Sequence, residues 1–451
     1  MRERDDIMSR ILERHEPHRF GQLAQPFAGL CSVPTFSTPT EINQPSLDVA
    51  VAQLGDLSEL FPRLRAADGR PLGTTGLAGA CADEDDSVAG LKAIAEAAER
   101  YAMSVVLPDE VTIATANELG KDAIDWHLFP RCRDSEYDAF PLLVPFDPDK
   151  KMRWVPGISL GTGRRLYVPV ALTHICSPVR RAESFTLPIS TGVAVHTDIY
   201  EALTRAVLEV VERDAIALTW YLGRRLPRLD LSGVNFGRHA PRFRAFNRSQ
   251  VETLLFDATT DLEVPVVYCL MVARTHPSAA VVVTAASELD PVEACAKAMR
   301  EGVSTRLAVL SAADRPQSAE ECYKLEHGAA YMGDVKRLEH FEFLLQSQAT
   351  VHLKDLAPPT GEAAGARERL DWLVSRLADQ HIEAVAVELT TDELAAVGLR
   401  AVRVVIPELM PLSYVTKTRF LAHPRLARFA EKEEGLMFSA THVNPQPQPF
   451  A

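Results

Sequence analysis

The apolar positions of this chain follow two rhythms, helical and strand-like, and they alternate along its length. Over residues 87–105, Val88, Leu91, Ile94, Ala98, Tyr101 and Val105 recur at helical spacing. Asp85, Asp86 and Ser87 just before them are N-cap types, so an amphipathic helix is predicted there. Residues 154–173 read as two strands joined by the tight Gly161-Thr162-Gly163 turn. No helix follows that turn, so its G-x-G is a hairpin and not a nucleotide loop. After Gly192 a long helix is expected over 198–220. VPVVYCLMVAR and AAVVVTAAS then read as strands, and 291–310 as a helix with Pro291 in its first turn. Residues 357–366, APPTGEAAGA, are the clearest loop. A helix over 367–380 follows, then the strands HIEAVAVEL and LRAVRVVIP, with a short helix over 392–397 between them. Residues 7–15 suggest one further amphipathic helix ahead of a Pro-, Thr- and Ser-rich stretch.

Composition narrows the class. The 451 residues, 47% hydrophobic and 24% charged, suit a globular protein with a large core. A net charge of -13 argues against a phosphate-backbone partner, so no nucleic acid is expected. The seven cysteines are scattered and never spaced C-x-x-C, which speaks against a disulfide framework or a cysteine zinc site. There is no apolar signal core and no bilayer-length apolar run, so the expectation is a cytoplasmic protein without a membrane partner.

One short pattern occurs twice, Glu96-x-x-Glu99-Arg100 and Glu209-x-x-Glu212-Arg213. At 100° per residue each triplet shares one helix face, and Glu201 lies on the same side as the second. Such a stripe opposite apolar positions is ordinarily a solvated face. The exact recurrence, and the strongly apolar sequence around the second copy, favour an inward-facing cluster instead. Carboxylates reach phosphate through Mg²⁺, and arginine meets phosphate oxygens directly. A carboxylate-bridged di-iron site would need His where Arg stands. The phosphate-loop, dinucleotide, zinc-protease and nucleophile-elbow signatures are absent.

The frame AIAEAAERYA resembles the first ATP-site motif of the YcaO family, and ISTGVAVHTDIYEALTRAVLEVVERDAIAL resembles its second. EACAKAMREGVSTRL, with Glu301 and Arg306, is similar to a later motif, and VIPELMPL to the family's C-terminal strand and turn. The resemblance spans about residues 70–451. It implies a mixed α/β fold: one large YcaO-type domain with several β-sheets and acidic helices lining an internal ATP cleft. The divisions expected are an N-terminal segment (1–70), the YcaO domain (71–430) and a C-terminal tail (431–451). ATP and Mg²⁺ are the implied cofactors, with Glu96, Glu99, Glu209 and Glu212 on the metal. Glu201, Arg213, Arg306 and Arg100 would contact the nucleotide. The family's frequent Gly-Lys-Gly has no lysine counterpart in GTTGLAGACADEDD, Thr191 stands where Asn is frequent, and Glu408 where Gly is frequent.

The ending Pro445-Gln-Pro447-Gln-Pro449-Phe-Ala451 is similar to the Pro-x-Pro-x-Pro tail of the azoline-forming branch. Without the resemblance it would read as a frayed terminus. With it, Pro445, Pro447, Pro449 and Ala451 are implied to thread back and help order catalysis. The implied reaction is ATP-dependent closure of Cys, Ser or Thr of a ribosomal precursor peptide into thiazoline or oxazoline. Relatives that make thioamides or amidines, and a non-catalytic peptide-docking scaffold, are the alternatives. No paired C-x-x-C zinc domain is seen, so a stand-alone subunit is expected. Its expected partners are a separate leader-peptide-binding protein resembling a ubiquitin-activating enzyme and a flavin-dependent azoline dehydrogenase, in a homo-oligomer or hetero-complex. His196, Trp220 and Tyr221 are read as structural.

Overall fold

A computed structural model describes residues 19–25, 29–37, 47–54, 77–175, 180–356, 364–433 and 443–450. The expected helix at 7–15, most of the loop at 357–366 and Ala451 lie outside the described residues. Three helices organise the rest, each opened by an aspartate. Asp85 caps α1 (Asp86–Ala102), Asp198 caps α2 (Ile199–Leu222) and Asp290 caps α3 (Pro291–Ser311), each side chain accepting from a first-turn backbone N–H. Helix α2 ends at Gly223, whose φ of 61° is the left-handed stop that glycine adopts without strain.

Three sheets alternate with these helices. The first is β1 (Thr35–Ser37), β2 (Val49–Gln53) and β3 (Ala78–Ala82), in that order. The second joins β4 (Thr112–Ala114), β5 (Met152–Ser159), β13 (Val385–Glu388), β14 (Arg400–Val405) and β7 (Val193–His196), with β6 (Arg165–Pro169) also on β5. The β5–β6 pairing is the expected hairpin. The third runs β11 (Val281–Ser287), β10 (Val266–Val272), β9 (Glu252–Asp257), β8 (Arg228–Asp230) and β12 (Thr350–His352).

Strand β10 shows how the layers stack. All seven residues are buried, because alternate side chains enter two different cores. Val266, Tyr268, Leu270 and Val272 pack with α2, whereas Val267, Cys269 and Met271 pack with α3. In β14, likewise, Val402 and Val404 pack on the α2 side and Ala401 and Val405 on the α1 side. The three-stranded sheet lies between α1 and α3, with Ala50 and Ala52 on one face and Val49 and Ala82 on the other. The order is therefore a closed ring of sheet, helix, sheet, helix, sheet, helix. Close approach makes it possible: a Cβ on Gly79 of β3 would lie 2.0 Å from the Ala93 carbonyl oxygen of α1. Among the described residues no helix is long and apolar enough to cross a membrane.

The unit behind this ring is repeated. Glu96, Glu209 and Glu301 each stand eleven residues after the aspartate caps Asp85, Asp198 and Asp290. Strands β3, β7 and β11, which precede the three caps, are each the terminal strand of their own sheet.

Candidate active site at three sheet edges

A terminal strand leaves backbone N–H groups without a neighbouring strand, and each must find another acceptor. Here the four motif carboxylates supply it. Glu96 Oε2 accepts from Ala80 N of β3 at 2.9 Å, and Glu99 Oε1 from Val195 N of β7 at 3.1 Å. Glu209 Oε2 accepts from Gly192 N, just before β7, at 3.0 Å, and Glu212 Oε2 from Ser287 N of β11 at 3.0 Å. Gly192 needs to be glycine: its φ is 83°, and a Cβ there would come 2.4 Å from the Val404 carbonyl oxygen. Val195 and Ser287 both lie three residues before the next aspartate cap, so the two Glu-x-x-Glu motifs bridge equivalent edges of the ring. The stripe lies against the strand edges and is not a fully solvated face: Glu212 is buried at 2% exposed, and Glu96, Glu99 and Glu209 are half-buried.

Cations sit among these carboxylates. Arg100 donates to Glu96 Oε1 at 2.9 Å, and Arg213 to Glu209 Oε1 at 3.4 Å. Lys297 of α3 lies 3.5 Å from Glu212 and 3.6 Å from Glu288. Burial alone would lower the Lys297 pKa, but Glu212, Glu288 and Glu301 hold it well above its usual range. The negative charge still exceeds what these cations offset. Burial, then the charges of Glu96 and Glu209, push Glu99 up to about 8. Burial, with Glu212 beside it, raises Glu301 to about 7. Two carboxylates that resist ionising next to already fixed ones mark a place where a cation would be stabilised.

The donor set fits magnesium with a nucleotide. Each motif carboxylate spends one oxygen on a strand edge and keeps a second for another partner. Among the described residues no three His, Cys, Asp or Glu side chains are close enough to form an all-protein metal cage. Mg²⁺ does not need one, because it is usually held by one or two carboxylates plus phosphate oxygens and water.

The other expected residues lie at varied distances from this centre. Glu201, two turns before Glu209 on α2, is paired with Arg369 of α4 (Ala366–Asp379). Arg306 is buried and donates to the carbonyl of Ala279, at the opposite end of β11 from Ser287. His196 accepts from Asp198 N at 3.0 Å, a local turn contact. Glu408 is buried, accepts from Glu383 N at 3.1 Å, and is pushed by burial up to about 7. Trp220 and Tyr221 are fully buried, in the core as expected, yet their polar atoms face the tail.

The described part of the tail, residues 443–450, is packed against the protein and not frayed. Trp220 Nε1 donates to the Gln446 carbonyl at 3.1 Å, and Tyr221 Oη to Gln448 Oε1 at 3.3 Å. Asn444 N donates to the Tyr221 carbonyl at 2.8 Å, and Arg419 to the Asn444 carbonyl at 2.7 Å. Pro447 and Pro449 are buried, Pro445 is exposed, and Phe450 meets Tyr268 edge-on at 5.6 Å. The tail thus docks on the last turn of α2, the helix whose middle carries Glu209 and Glu212.

Two groups in the cluster escaped the sequence reading. Lys297 was signalled by its i, i+4 spacing to Glu301. Arg403 stands in a strand whose alternation gave no hint of a buried charge.

Carboxylates on strand edges with interleaved cations give this protein a donor set of the kind that suits a metal-complexed phosphate compound. Its family is equally plain: a family model described as "YcaO cyclodehydratase, ATP- and Mg2+-binding" matches residues 82–410, and the chain belongs to that family, with ATP and Mg²⁺ as its cofactors. An uncharacterised protein of the tfuA 3′ region of Rhizobium leguminosarum bv. trifolii is 24% identical over 72% of this chain and 75% of its own length. A heterocyclase solved in complex with substrate and cofactor has the same fold, with a TM-score of 0.79 and 22% identity over 98% of this chain. This chain spans 57% of that heterocyclase's length. The YcaO protein of Methanopyrus kandleri, solved with AMPPCP and Mg²⁺, matches with a TM-score of 0.60 and 18% identity, covering 90% of this chain and 91% of that one.

Proposed function

We propose that this protein is an ATP-dependent peptide cyclodehydratase that forms thiazoline or oxazoline rings in a ribosomal precursor peptide. The observation that carries this reading is the Pro-rich tail: it is seated on α2 through Trp220 and Tyr221, the same helix that presents Glu209 and Glu212. In this reading Glu96, Glu99, Glu209 and Glu212 would hold Mg²⁺. Arg213 and Arg100, now paired to Glu209 and Glu96, turn to phosphate oxygens. Glu201, two turns before Glu209 on α2, belongs to the nucleotide's outer contacts, whereas Arg306, tied to the Ala279 carbonyl at the far end of β11, is a holding residue of that strand.

The precursor's Cys, Ser or Thr side chain attacks the carbonyl carbon on its N-terminal side, and its proton is lost to base. The former amide oxygen would then take the terminal phosphoryl group of ATP, with the bond to ADP breaking and ADP released, and phosphate would leave with that oxygen as the ring C=N forms and the amide proton departs. Bound Mg²⁺–ATP supplies the phosphoryl group that makes a poor leaving group a good one. The chain's part is to fix the carboxylates before the nucleotide arrives. Each is already tied to a strand edge, so little reorganisation opposes the charge that builds during transfer. A separate leader-peptide-binding partner delivers the precursor.

Mass spectrometry of precursor incubated with this protein, its partner and Mg-ATP tests the proposal. Successive losses of one water per modified residue are expected. Exchange of oxygen for sulfur, or an unmodified peptide despite ATP turnover, overturns it.

A further inference from the structure

Arg403 is a charged side chain in a place where the fold does not require one. It lies in β14, second from the edge of the six-stranded sheet, paired in register with Val193 of β7. It is 7% exposed. Among the described residues its guanidinium donates once, from an Nη to the Ile189 carbonyl at 2.8 Å, and its buried Nε has no partner. Burial disfavours its charge, Glu209 favours it and Arg100 opposes it, and no ion pair to Arg403 forms among the described residues. Arg213, Arg242 and Arg376 also leave Nε without a hydrogen bond, but each lies against a carboxylate, and Arg403 does not; a buried guanidinium with no anion beside it is costly.

The repeated unit supplies an internal control. Val193, Ala285 and Ala80 each precede their aspartate cap by five residues, and their strand partners are Arg403, Tyr268 and Val51. The three positions face the preceding helix of the ring in the same way. Valine at one and tyrosine at another show that the packing does not call for a cation. Arg403 is also next to the chain that carries the site, since Gly192, which holds Glu209, accepts a hydrogen bond from Val404 N at 2.7 Å.

We infer that Arg403 is a nucleotide-binding residue whose unpartnered guanidinium edge receives an oxyanion of the phosphate chain beside the metal-holding carboxylate Glu209. The repulsion between Arg403 and Arg100 is then relieved when the anion is bound. The inference rests on the reading of the carboxylates as an Mg²⁺–ATP site.

The test is direct binding of a non-hydrolysable ATP analogue with Mg²⁺, by titration calorimetry, to wild type, Arg403→Met and Arg403→Lys, with the melting temperature of each nucleotide-free protein. The expected result is on the order of 10- to 100-fold weaker binding by Arg403→Met, with partial recovery in Arg403→Lys. The nucleotide-free melting temperature of Arg403→Met should be unchanged or higher, which a purely structural arginine would not allow. Unchanged affinity in Arg403→Met, or a melting temperature that falls along with affinity, overturns the inference. Normal analogue affinity with a raised KM for peptide alone would place Arg403 on the other substrate and overturn it too. Failure of the wild type itself to bind the analogue with Mg²⁺ would instead refute the underlying site.

Discussion

Binding of Mg-ATP at pH 7 should release protons, and Glu99 sets the amount. Its carboxyl is raised to about 8 by burial and by Glu96 and Glu209. At pH 7 it is then about nine-tenths protonated. A dication beside it reverses the balance and drives its pKa well below 7, so about 0.9 proton leaves per nucleotide bound. At pH 9 the group is already ionised, and the release falls to roughly 0.1. The sign for stability follows. A carboxyl raised in the folded state gives its full stability below the ordinary value of 4.5, and that stability is lost as pH rises through about 8. Metal-free protein should therefore weaken over that window, and Mg-ATP should restore it. Calorimetric titration in buffers of different ionisation enthalpy reads the proton count from the slope. Glu301, raised to about 7, adds its own fraction in either protein, so the difference between wild type and Glu99→Gln isolates Glu99. Equal proton release by the two proteins, or none in either, would refute the electrostatic account of the site.

Other substitutions separate holding the site together from running it. Glu212→Gln keeps an oxygen for Ser287 N and leaves Lys297 its Glu288 partner, so the protein should still fold cooperatively, yet lose ATP-dependent ring formation; denaturant melts and peptide mass spectra check both halves. Gly328→Ala should evict the tail, because the added Cβ would sit 2.0 Å from the Gln448 carbonyl oxygen. Ring formation should fail while Mg-ATP binding survives, and residues 443–450 should become protease-sensitive; a still-protected tail would contradict the seating. Arg425→Met should be severe. Arg425, at the start of α5 (Pro424–Glu433), ties Asp214 of α2 at 2.8 Å and Asp261 at 2.6 Å, and its loss leaves two buried carboxylates unpaired. A loss of roughly 3–5 kcal/mol in unfolding free energy is expected, and a loss under about 1 would show the pair is not needed.

The chain's own order of residues settled whatever depends on near neighbours. The period of Val88, Leu91 and Ile94, the aspartate caps, and the Gly-Thr-Gly turn placed α1, α2, α3 and the β5–β6 hairpin, because caps, turns and helical stripes are local effects; α1 nevertheless stops at Ala102 short of 105, and Val170–Thr173, expected as strand, is a helical turn. The four motif glutamates were legible for the same reason, as was their shared helix face. What only the tertiary structure decided was which strands would be edges. Strand β7 borders β14, more than two hundred residues later, and has no strand on its other side among the described residues. That non-local pairing leaves Val195 N open for Glu99, and the equivalent edges leave Ala80 and Ser287 open for Glu96 and Glu212. The same pairing buries Arg403, whose place in an ordinary strand pattern gave no sign of it. Charge became site only when three sheets closed into a ring, because an unmatched backbone N–H and an inward carboxylate each lack a partner until the other is brought beside it.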